Sequence, residues 1–154
     1  MSRWQNFQIW RGKLPHWRAL GVDYYVTFRH RRSLDEGEAT LLYLQLFRAQ
    51  RSKFDYLILC VLPEKTEMIF RLQEGQEELE LSDVVEKAKR KAAALITKKT
   101  GEKYGPFYQE SFDRIVRDES ELEQLWLGIL GSPVDEGLVS EPEDYCALFV
   151  ADRP

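Results

Sequence analysis

Cysteine, histidine and long apolar runs are all scarce in this chain, and each scarcity closes off a class of protein. The two cysteines among 154 residues, Cys60 and Cys146, are isolated and lack metal-type spacing, so neither a disulfide framework nor a cysteine zinc site is expected. Cys60 sits inside an apolar run and reads as a small core residue. The two histidines, His16 and His30, also stand outside any zinc-ligand spacing. No stretch approaches the roughly 18 apolar residues of a membrane span, and residues 1–6 lack the apolar core of a signal peptide. A cytoplasmic, reducing location is the resulting expectation. A basic excess is missing as well. Lys and Arg number 22 against 26 Asp and Glu, a formal net charge of −4, where nucleic-acid binders usually carry a basic surplus. There is no internal repeat and no low-complexity segment.

What is present fits one folded domain over residues 1–154, since 44% apolar and 31% charged residues are ordinary proportions for a globular chain with a core. Residues 1–20 interleave Trp4, Trp10 and Trp17 with Arg3, Arg11, Lys13 and Arg18 and read as an extended arm on a core spanning 21–146. Residues 22–29, aromatic and β-branched, predict a strand. Residues 38–51 predict a helix with Leu41, Leu42, Leu44, Leu46 and Phe47 on its apolar side. The nearly continuous apolar run 54–62 suits a central strand buried on both faces. A Pro63-Glu64 turn then returns the chain as a hairpin partner over 66–72, and 73–80 is an acidic loop.

A second helix is predicted over 82–99 from Val85, Ala88, Ala92, Leu95 and Ile96 at helical spacing. Ser82 is its candidate N-cap and Gly101 its candidate stop. Residues 111–117 read as a further strand. Asp118, with Glu121 three places on, opens a third helix carrying Leu122, Leu125, Trp126 and Ile129 on one face, expected to end at Gly131-Ser132-Pro133. The order β-α-β-β-α-β, followed by a helix and a tail, is the α+β split-βαβ or ferredoxin-like arrangement. It is an antiparallel sheet with helices on one face, leaving the other face for a ligand.

Four blocks share one resemblance. They are Lys13-Leu14-Pro15-His16-Trp17 with Asp23-Tyr24-Tyr25-Val26-Thr27-Phe28-Arg29; Leu62-Pro63-Glu64-Lys65-Thr66-Glu67-Met68-Ile69; the segment 107–119 with Phe112-Asp113-Arg114-Ile115-Val116-Arg117-Asp118-Glu119; and Ser132-Pro133-Val134-Asp135-Glu136-Gly137-Leu138-Val139 with Pro142-Glu143-Asp144-Tyr145. Together, in this order, they resemble the single-tyrosine HUH transposases, in particular the REP-associated tyrosine transposases. The resemblance implies a DNA hairpin or single-stranded DNA as partner, and a divalent metal such as magnesium or manganese held by two histidines beside a DNA-cleaving tyrosine. Carried over position by position, the two histidines fall on Lys65 and Glu67, the tyrosine on Gly128, and an asparagine that can complete the metal shell on Ser132. A protonated ammonium has no lone pair for a metal, and glycine has no nucleophile. The expectation is therefore a transposase-like DNA binder that does not cleave, with no cofactor, no metal site and no membrane; a homodimer is left open.

The basic residues supply the candidate interface: Arg11 and Lys13 on the arm, Arg29, Arg31 and Arg32 after the first strand, and Lys87, Arg90, Lys91 and Lys98 on the second helix. Such a stripe neutralising phosphates gives salt-dependent binding, but it is equally a solvated helix face. Lys65 and Glu67, two apart on a strand, share one sheet face; they read either as a phosphate anchor or as a surface ion pair worth about 0–1 kcal/mol. The aromatic arm can stack on bases or close a core. Tyr104, Tyr108 and Tyr145 remain as phenols without an assigned role. Two other readings stay open: a protein-interaction scaffold on the same fold, and an active nuclease with rearranged ligands.

Overall fold

The computed structural model describes residues 23–49, 54–72 and 81–151. Along the chain run β1 (Asp23–Arg29), α1 (Glu36–Ala49), β2 (Phe54–Val61), β3 (Lys65–Leu72), α2 (Leu81–Thr100), β4 (Phe112–Ile115), α3 (Glu119–Asp135), a 3-10 turn (Pro142–Asp144) and β5 (Leu148–Val150). The five strands form one sheet in the order β4-β1-β3-β2-β5, with antiparallel neighbours throughout. The first four reproduce the predicted ferredoxin-like order. The predicted arm at 1–20, with Arg11 and Lys13, and the acidic loop at 73–80 lie outside the described residues.

Directly opposed residues in an antiparallel pair point to the same face, so the register sorts the sheet into two sides. Val26 faces Met68 and Tyr24 faces Phe70, and this side carries α1 and α2. Tyr56 Oη donates to the Leu46 carbonyl at 2.8 Å, Phe47 meets Phe149 edge-on at 5.2 Å, and Lys89 of α2 reaches the Phe28 ring. On the opposite side, Thr27 faces Glu67 and Arg29 faces Lys65, while Tyr25 faces Arg114. Here α3 crosses the sheet, burying Leu122, Trp126, Ile129 and Leu130, each worth about 1.5–3 kcal/mol of hydrophobic stabilisation. The second face is thus only partly open, over β1, β4 and the near edge of β3.

Several local features depart from the sequence prediction, and α2 already begins at Leu81, one residue ahead of its candidate cap Ser82. Helix α1 begins two residues early because Asp35 caps it: Glu38 N–H donates to Asp35 Oδ1 at 2.8 Å, and Asp35 N–H donates back to Glu38 Oε1 at 3.0 Å, a reciprocal capping box. Helix α3 does not stop at Pro133 but runs through it to Asp135. Pro133 forfeits a single backbone hydrogen bond in the last turn and is itself buried. The real terminator is Gly137 at φ 73°: its N–H donates to Val134 O and that of Leu138 to Pro133 O, both at 2.9 Å, a Schellman motif. Strand β4 is shorter than the predicted 111–117. Finally, the predicted tail contains β5, which pairs with Ile58, Leu59 and Cys60. Asp118 caps α3 as predicted, accepting from Glu121 N–H at 2.8 Å, and Gly101 at φ 78° ends α2. Among the described residues, no helix is long and apolar enough to cross a membrane.

Candidate nucleic-acid interface

The open strip of the second face is where the resemblance puts its chemistry, and Glu67 is its organising residue. Glu67 Oε2 accepts from Tyr25 Oη at 2.9 Å, and Oε1 lies 3.4 Å from Lys65 Nζ. Burial, then the Glu67 charge and its hydrogen bond, push the Tyr25 phenol up to about 12, so at neutral pH it stays protonated and donates. Arg114 lies over the Tyr25 ring at 5.6 Å and is tied to α3 through Glu121 Oε1 at 2.6 Å.

That tie orients α3. Glu121, Gly128 and Ser132 are spaced by seven and then four residues, which is one side of an α-helix. Glu121 shows that this side borders β4. At the other end of the helix, burial raises the Glu136 carboxyl, which also feels the charges of Lys65 and Glu67. Gly128 and Ser132 therefore share the side of α3 that carries Glu121. A Cβ placed on Gly128 would meet no heavy atom within 4 Å, so this position opens on free space. Ser132 Oγ donates back to the Gly128 carbonyl at 2.8 Å.

The structure brings Lys65 and Glu67 together on the open strip and sets Gly128 and Ser132 one turn apart on α3; the chemistry of the Lys65–Glu67 pair does not suit a divalent cation. The charge nearest the Glu67 carboxylate is an ammonium, and the second oxygen is occupied by a phenol proton. Among the described residues, no group of three or more His, Cys, Asp and Glu side chains could hold a metal ion.

The predicted cations divide into separate surfaces. Arg29 is exposed at the end of β1 opposite Lys65. Arg31, also exposed, stacks its guanidinium on the Tyr108 ring at 5.1 Å. Arg32 is engaged elsewhere: it donates to Glu38 at 2.8 and 2.5 Å, to Glu102 at 2.9 and 2.5 Å, and to the Ser33 carbonyl at 2.9 Å, clamping the start of α1 to the segment after α2. Lys87, Arg90, Lys91 and Lys98 are exposed on the side of α2 turned away from the core, across the sheet from Lys65 and Glu67.

Of the three unassigned phenols, Tyr145 is buried. It donates to the Val61 carbonyl at 2.6 Å, and burial raises its pKa. Tyr104 and Tyr108 are exposed. Tyr108 borders an open groove of about 620 Å³, which Thr27, Phe28, Arg29, Ser111 and Phe112 also line.

Two residues near this site carry no assigned role in the sequence reading. Tyr25 becomes visible only once β1–β3 register puts it on the Glu67 side. Lys89 is 3% exposed: its ammonium donates to Tyr108 O at 3.0 Å, Glu110 O at 3.0 Å and Ser111 Oγ at 2.9 Å, with Nζ 4.2 Å from the Phe28 ring centre. Burial lowers its pKa. Its sequence signal was available, because Lys89 falls four residues after Val85 and seven before Ile96, inside the apolar stripe.

No family model matches the chain, and neither does any curated protein sequence. Among solved structures, the chain is similar to a REP-associated tyrosine transposase bound to a REP hairpin, with a TM-score of 0.66, 18% identity, and coverage of 96% of this chain and 82% of that one. A second structure, a provisionally assigned transposase of Deinococcus radiodurans R1, aligns with a TM-score of 0.48 and 11% identity over 80% of this chain and 95% of that one. The chain has the fold of the first structure.

Proposed function

We propose that this chain binds a DNA hairpin or structured single strand through a transposase-type fold and does not break the strand. One observation carries the loss of cleavage: Lys65 Nζ lies 3.4 Å from Glu67 where the resemblance expects two metal-ligating imidazoles, and the same resemblance puts the nucleophile's position at Gly128, which has no side chain. An ammonium offers no electron pair, and the nearby Tyr25 phenol is held protonated. Retained binding is supported by the exposed Arg29 and Arg31 and the half-buried Lys65 at the open strip, and by the α2 stripe. It is supported too by the hairpin in the solved transposase that shares this fold. Neither a cofactor nor a metal is needed for this activity.

Electrophoretic mobility shift with a hairpin oligonucleotide over a salt series tests binding. Retardation at low salt that fades steeply with added salt is expected, because phosphate neutralisation releases counterions. No retardation at the lowest salt removes the proposal. Incubating labelled single-stranded DNA with manganese tests the other half, and a covalent protein–DNA adduct would restore cleavage. The net charge of −4 favours a second reading, a protein-interaction module on the same fold, to which absent retardation would point.

A further inference from the structure

We infer that the groove between the end of β1 and the segment leading into β4 takes the unpaired bases of a single nucleic-acid strand, stacked on Tyr108 and Phe112. This rests on the proposed nucleic-acid binding and names the part of the ligand that one surface holds. Tyr108 and Phe112 are 46% and 58% exposed and both border the 620 Å³ groove. Large aromatic rings left in water beside guanidinium groups are the usual platform for single strands, since every base has a face to stack and every linkage a phosphate to neutralise. Here Arg31 already lies against one ring at 5.1 Å. Arg29 lines the groove and stands directly opposite Lys65 across the β1–β3 pair. Two cations facing each other across a strand pair repel. Lys65 has Glu67, whereas among the described residues no carboxylate pairs with Arg29, so a phosphate between the two relieves the repulsion.

The platform is also rigid. Through its bonds to Tyr108 O, Glu110 O and Ser111 Oγ, Lys89 fixes the backbone that carries Tyr108, and little ordering entropy is lost on binding. The groove lining includes one carboxylate, Glu110. It repels phosphate at that point and keeps the backbone on the Arg29–Lys65 side. A fully paired duplex hides its base faces, so this surface discriminates for unpaired nucleotides.

Fluorescence anisotropy with an unstructured oligothymidylate, in parallel with a blunt, fully paired hairpin, tests the inference. Tyr108→Ala and Phe112→Ala should each weaken the single strand by about tenfold to a hundredfold and leave the blunt hairpin unchanged. Tyr108→Phe should keep most of the affinity. A strand containing 2-aminopurine should be quenched by the native protein and not by the double alanine variant. Both side chains are exposed, so thermal melting of the variants should match that of the native chain. Unchanged single-strand affinity in the double variant overturns the inference. So does binding of the hairpin without the single strand, which leaves the proposed function standing; loss of both ligands in the native protein removes the two together. Capture of a proline-rich peptide in place of the oligonucleotide would also overturn it.

Discussion

Replacing His30 with glutamine and comparing unfolding at two pH values isolates the contribution of a single buried ring. His30 Nδ1 is 2.8 Å from the Pro63 carbonyl and Nε2 is 2.8 Å from Thr66 Oγ1. The carbonyl can only accept, so Nδ1 carries the proton and Nε2 accepts from the threonine hydroxyl. The ring lies between Phe28 at 5.8 Å and Phe107 at 5.6 Å. Burial, opposed by the Pro63 hydrogen bond and aided by the Lys89 charge, lowers its pKa to about 4. In the unfolded chain the value is about 6.5, so across this window the unfolded state binds the extra proton and stability falls as pH falls.

Linkage gives a loss of about 2 kcal/mol between neutrality and pH of about 5, approaching about 3 kcal/mol near pH 4. With a urea m-value of about 2 kcal/mol/M for a chain of this size, the midpoint should drop by about 1 M. Glutamine keeps one donor and one acceptor but does not titrate, so its midpoint should be nearly flat over the same interval. The depressed carboxyls Glu38 and Glu121 lose their contribution only as pH falls below the ordinary glutamate range. They are common to both proteins, as are His16 and Glu136, and cancel in the comparison. Parallel pH dependence in the two proteins, or a His30 proton resonance titrating near its free value, would refute the reasoning.

Gly128→Ala should raise stability by about 1 kcal/mol, the helix-propensity difference, and Tm by about 3 °C, since a Cβ there meets nothing. A lowered Tm in a thermal scan would show that the flank of α3 is occupied after all. Arg32→Ala should cost about 2 kcal/mol, because it strips the charged hydrogen bonds from Glu38, which is 3% exposed. Hairpin affinity measured well below the variant's Tm should be unaltered, and a large affinity loss there would return Arg32 to the DNA surface.

The sheet and its helices were legible because their signals are long: the apolar run in β2 and the stripe Val85, Ala88, Ala92 and Ile96 in α2 leave little choice of structure. Strand β5 was hidden by its length, as three residues cannot display a period. Pro133 misled because a helix tolerates proline when it is buried and only the final turn is affected, whereas the true stop depends on Gly137 adopting a left-handed backbone. At the site, Lys65, Glu67, Gly128 and Ser132 could be named from motif positions, and the fold pairs the first two at 3.4 Å. What could not be read was the set of partners around them. Tyr25 reaches Glu67 through pairing of segments 42 residues apart. Arg32, next to Arg31 in sequence, turns the other way because Glu38 and Glu102 converge on it.

The submerged ammonium of Lys89 makes this fold readable by amine-reactive footprinting. Its neighbours Lys87 and Lys91 are exposed and will acylate quickly, while Lys89, sealed under the β4 approach, will stay unmodified for as long as that junction holds. The modification ratio within one proteolytic peptide then serves as an internal clock for breathing at the groove, and a bound strand should slow it.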